Sequence, residues 1–148
     1  MHDREKAIRV AREWVQKAEN DLKTATHVLT LGEDAPTDTI CFHCQQAVEK
    51  YLKALLIFRG IKFPRIHDIE RLVRLLPVAD RPHMSVEEQG ALTDYATMTR
   101  YPGSYEPISL EEATLAVKLA WRVREQIRRL LPPEVLEPLT VKREKGSQ

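Results

Sequence analysis

The chain is poor in the features that mark several common protein classes. Only two of its 148 residues are cysteine, too few for a disulfide scaffold, and nothing points to an oxidising compartment. No apolar run reaches the roughly 18–20 residues needed to cross a bilayer. The polar start Met1-His2-Asp3-Arg4-Glu5-Lys6 lacks the apolar core of a signal peptide. Charge of one sign is missing too: 23 Lys and Arg stand against 22 Asp and Glu, a net of +1, so nucleic-acid contact would need a local patch. GxGxxG, P-loop, HExxH and nucleophile-elbow motifs are absent, as are repeats and β-branched runs with period-two alternation. These absences leave a soluble, cytoplasmic protein of one domain as the expectation, without membrane association, cofactor or metal.

What is present is helical periodicity. Ala7, Ala11, Trp14, Ala18, Leu22, Ala25 and Leu29 recur every three or four positions and predict a helix of about 28 residues ending near Gly32. Pro36 and Thr37-Asp38 open a second helix with Ile40, Cys44, Ala47, Val48, Tyr51, Leu55 and Phe58 on one stripe and Gly60 at its end. The short link between the two predicts antiparallel neighbours. A short helix starts at His67 or Asp68 and runs to Leu76. Capping boxes at Ser85-Val86-Glu87-Glu88 and Ser109-Leu110-Glu111-Glu112 open two more helices. Pro132-Pro133 closes the last. The expected fold is all-α, an up-and-down antiparallel bundle of three long and two short helices over residues 1–132, with 133–148 as a flexible tail.

Several polar constellations could carry chemistry. Cys41-Phe42-His43-Cys44 offers soft ligands, but a structural zinc site needs four and no second pair exists, which favours small buried thiols. The second helix carries His43, Gln45, Gln46, Glu49, Lys50 and Lys53. Glu49 and Lys53 have i,i+4 spacing, and Gln46, Glu49, Lys50 and Lys53 read as a continuous strip, either a solvated face or a functional groove. Arg100-Tyr101-Pro102 can grip a phosphate and stack a base, or cap a helix end and pack under its loop. In His67-Asp68 the histidine serves as an N-cap, is held by the aspartate, or acts as an acid or base. Arg122, Arg124, Arg128 and Arg129 beside Trp121 suit RNA backbone or the dipole at a helix C-terminus.

The run Cys41-Phe42-His43-Cys44-Gln45-Gln46-Ala47-Val48-Glu49-Lys50-Tyr51-Leu52-Lys53-Ala54-Leu55-Leu56, followed by Gly60, His67-Asp68-Ile69 with Leu72, and Arg100-Tyr101-Pro102, resembles the HEPN (higher eukaryotes and prokaryotes nucleotide-binding) family. Ala18-Glu19-Asn20-Asp21-Leu22 is similar to its first-helix signature, and the likeness spans about residues 9 to 130. The resemblance implies a homodimeric helical bundle paired with a small nucleotidyltransferase in a two-gene, toxin–antitoxin-like system. It also implies a site for nucleotide or RNA phosphate on Asp21, Gln46, Glu49, Lys53, His67, Arg100 and Tyr101. Ribonuclease members carry Arg followed after four to six residues by His. Here no histidine follows His83, and Arg59 to His67 and Arg74 to His83 have seven and eight intervening residues. The resemblance therefore implies a binding module rather than an enzyme. Two alternatives stay open, a metal-independent endoribonuclease using Arg100 with a spatially adjacent histidine such as His67, and a bundle that only binds another protein.

Overall fold

The computed structural model describes residues 3–98 and 106–138, and among these all regular structure is helical. The first helix, α1 (Arg4–Leu29), is capped by Asp3, whose carboxylate accepts from the Lys6 amide at 3.2 Å. It buries Ala7, Ala11, Val15, Ala18, Leu22 and Ala25. Four alanines in that set let α2 (Thr37–Phe58) approach closely, and this pair is the most extensive contact in the molecule. Residues 30–36 are too few for any path but a reversal, so the two helices run antiparallel.

The end of α2 is fixed by Gly60, at φ 73°. The Gly60 amide donates to the Ile57 carbonyl and the Ile61 amide to that of Leu56, a Schellman closure that needs a left-handed residue. Beyond it lie α3 (Ile69–Leu75), α4 (Val86–Met98) and α5 (Leu110–Arg128). Helices α3, α4 and α5 all pack on α2, which makes α2 the axis of the bundle rather than one of its walls. Thirteen of its 22 residues are buried, Leu52, Ala54 and Leu56 among them, so apolar contact surrounds it on more than the expected stripe.

The box at Ser85 closes in both directions: the Glu88 amide donates to Ser85 Oγ at 3.0 Å and the Ser85 amide to Glu88 Oε1 at 2.8 Å. At Ser109 only the forward bond forms, from the Glu112 amide at 3.0 Å, because Glu112 instead accepts the Tyr95 hydroxyl at 2.5 Å. The expected flexible tail from residue 133 needs correction. Pro133–Leu136 forms a sixth helix, α6, on α1, with Val135 fully buried and the Glu134 carbonyl accepting from Arg12 Nε at 2.8 Å. Residues 139–148 lie outside the described residues, as do 99–105 with Arg100 and Tyr101. None of the described helices is long and apolar enough to cross a membrane.

Candidate functional site

The polar residues of α2 do not form one solvated strip. Glu49 and Lys53 are 3% and 6% exposed, so the solvated-face reading does not hold for this pair. They are buried because α1 and the 61–66 connector cover that face: the Lys53 ammonium lies 5.4 Å from the Trp14 ring centroid and 5.8 Å from that of Phe63. Gln46 and Lys50 remain partly exposed.

Glu49 is the centre of a converging network. Its Oε2 accepts from Lys53 Nζ at 3.0 Å, and its Oε1 accepts from Gln45 Nε2 and from His67 Nδ1, both at 2.8 Å. Gln45, itself fully buried, accepts from Gln46 Nε2 at 2.6 Å through its own Oε1. Burying a charge this deeply is tolerated because both carboxylate oxygens accept, three hydrogen bonds in all, one of them from an ammonium. His67 sits just outside α3. Asp68, not His67, caps that helix, accepting from the Arg71 amide at 3.2 Å, and Glu49, not Asp68, holds the imidazole. The side chain of His67 is 62% exposed while that of Glu49 is 4% exposed. A buried carboxylate that anchors one ring nitrogen and leaves the ring in solvent gives a fixed group able to exchange hydrogen bonds or a proton with a ligand.

Asp21 belongs to a second, neighbouring cluster. It accepts from His43 Nδ1 at 2.8 Å and from Lys50 Nζ at 2.5 Å, tying α1 to the partly exposed side of α2. Of the seven expected site residues, Gln46, Glu49, Lys53 and His67 are therefore joined, and Asp21 stands in the adjoining cluster. Arg100 and Tyr101 lie outside the described residues. The expected set omits Gln45, the link between Gln46 and Glu49, and His43 and Lys50, the partners of Asp21. The i,i+4 series Gln45, Glu49, Lys53 was the available signal for the first.

The arginines of α5 are committed internally. Arg124 makes two bonds to Glu19, at 2.8 and 3.0 Å, and lies over the Trp121 ring at 4.9 Å; Arg128 Nη1 meets the Tyr51 hydroxyl at 3.3 Å; Arg122 bonds Glu88 at 2.9 and 3.0 Å. They do not form a free basic patch. Burial raises the Glu19 carboxyl, but bonds from Arg124 and Tyr51 and the charges of Arg124 and Arg128 outweigh it and hold the group below its ordinary value. Both thiols are fully buried. Desolvation, with the nearby charge of Glu112, pushes Cys41 up to about 12, and burial raises Cys44 as well, which disfavours the thiolate that ligation requires.

Two surface grooves lie apart from His67. One, of about 790 Å³, is lined by Asp3, Lys6, Ile57, Lys62 and Phe63. The other, of about 810 Å³, is lined by Glu19, Lys23, His27, Trp121 and Arg128.

Comparison with known proteins matches this architecture. The chain is 30% identical over 149 residues to the Methanocaldococcus jannaschii protein named "Putative toxin MJ1304", covering 84% of this chain and 90% of that one. The crystal structure of TT1696 from Thermus thermophilus superposes with a TM-score of 0.67 at 30% identity, covering 82% of this chain and 98% of the other. That of ST0689, an archaeal HEPN homologue, gives a TM-score of 0.61 at 28% identity over 81% and 96%. The model of the HEPN domain matches residues 11–130, which takes in both carboxylate clusters, and the chain belongs to the HEPN domain family.

Proposed function

We propose that this chain is a toxin-like HEPN module that binds RNA or a nucleotide, acting as a cytoplasmic homodimer beside a small nucleotidyltransferase. The single observation that carries the reading is the exposed His67 imidazole anchored by buried Glu49, a preorganised polar group on a bundle whose other buried charges are internally paired. The name of the M. jannaschii relative supports the toxin-like part. In this reading Arg100 contacts phosphate through its guanidinium fork and Tyr101 stacks on a base. Calorimetry with ATP, GTP and short single-stranded RNA tests it. Binding by the wild type that weakens in both Arg100→Ala and His67→Ala is the expected result, and no binding, or binding indifferent to Arg100→Ala, overturns it. Co-purification with the nucleotidyltransferase tests the partnership separately.

A second reading is favoured by the same dyad, since cleavage of RNA needs an imidazole to move a proton near a cation that stabilises the phosphorane-like transition state. It predicts cleavage without added metal that disappears in Arg100→Ala and in His67→Ala. Activity that persists in either variant excludes it.

A further inference from the structure

The hydrogen-bond directions around Glu49 determine what His67 offers to solvent. As the carboxylate of an ion pair with the Lys53 ammonium, 3.0 Å from Oε2, Glu49 only accepts. Gln45 points its amide nitrogen at Oε1, and that orientation is fixed because its two neighbours there, Glu49 Oε1 and the His67 carbonyl at 3.5 Å, both accept. The remaining bond at Oε1, from His67 Nδ1 at 2.8 Å, must therefore carry its proton on Nδ1. In the neutral ring Nε2 is then a lone-pair acceptor, and it has no hydrogen-bond partner among the described residues.

We propose that His67 Nε2 accepts a hydrogen bond from the ribose 2′-hydroxyl of RNA, with Glu49 as the positioning residue that sets the tautomer. This rests on the preceding reading that the module binds RNA, and it names the ligand group at the site. To the neutral ring a phosphodiester presents only acceptors, which would face a lone pair at Nε2, so in that form phosphate contact falls to the cations and not to this imidazole. The 2′-hydroxyl is a donor, occurs at every nucleotide whatever the base, and is the group by which a protein distinguishes RNA from DNA. Exocyclic base amines share the donor chemistry, and the choice of oligonucleotide separates the two.

The experiment is fluorescence anisotropy of the full chain with one single-stranded sequence prepared as RNA, as DNA and as 2′-O-methyl RNA. It is combined with a ¹⁵N NMR spectrum of the imidazoles, assigned by comparison with His67→Ala. The expected result is RNA bound about tenfold more tightly than either analogue, the order of one well-made hydrogen bond. His67→Ala loses that preference, so that the three oligonucleotides bind it alike. The wild-type spectrum shows the proton of neutral His67 on Nδ1, a readout that needs no variant at Glu49, and Glu49→Gln weakens both this preference and the RNA selectivity. Equal binding of RNA and 2′-O-methyl RNA, or a proton on Nε2, overturns the proposal while leaving RNA binding intact. Failure to bind any of the three overturns the RNA-binding part of the preceding reading together with this proposal.

Discussion

Removing one member of the Glu49–Lys53 pair leaves the other charge buried without compensation. Lys53→Met should therefore cost about 3–5 kcal/mol in urea denaturation, well beyond what an exposed i,i+4 pair contributes. Glu49→Gln combined with Lys53→Met, which removes both charges while keeping a carbonyl for a neighbouring donor, should recover a good part of that loss. A double variant no better than Lys53→Met would show that the cost lies in packing against Trp14 and Phe63 and not in the charge. The spacing of Glu49 and Lys53 was legible in the sequence, but their burial was not, because it depends on Trp14 and Phe63, which lie 39 residues before and ten residues after Lys53. His67 shows the same limit. Its neighbour Asp68 offers an obvious partner, yet Asp68 is turned to the Arg71 amide and the partner comes from α2.

At the scale of the element, the boundaries follow from local chemistry. Gly60 ends α2 at φ 73°, where a Cβ would crowd the backbone, so Gly60→Ala should lower stability by about 1 kcal/mol, measurable as a shift in the urea midpoint at unchanged slope. The Ser85 box formed as its sequence pattern implies, whereas the Ser109 box formed by half, because Tyr95 from α4 competes for Glu112. The stripe assigned to α2 was correct as far as it went. Leu52, Ala54 and Leu56 interrupt any polar face between Tyr51 and Phe58, and that interruption is the sequence signal for a helix surrounded by others. Helix α6 had no comparable signal, since four residues give no periodicity and the burial of Val135 depends on the packing of α6 on the distant α1.

Across the whole molecule the near-balanced charge resolves into specific long-range ties. Glu19 and Arg124 are 105 residues apart in sequence and link α1 to α5. Because the folded Glu19 carboxyl lies below its unfolded value, its contribution to stability is present above the unfolded value and is lost as pH falls through the folded one. Glu19→Gln should flatten that acid limb of a stability–pH curve. A limb identical to the wild type would assign acid sensitivity to other carboxylates. The helical class, the order of the five longer helices and the HEPN resemblance were determined by the sequence alone, since periodicity, caps and breakers act over a few residues. Tertiary structure decided which charges are buried, which arginines are spent on carboxylates, and that Glu49 orients His67. Those outcomes depend on contacts between residues distant in the chain, whose pairing local patterns do not encode.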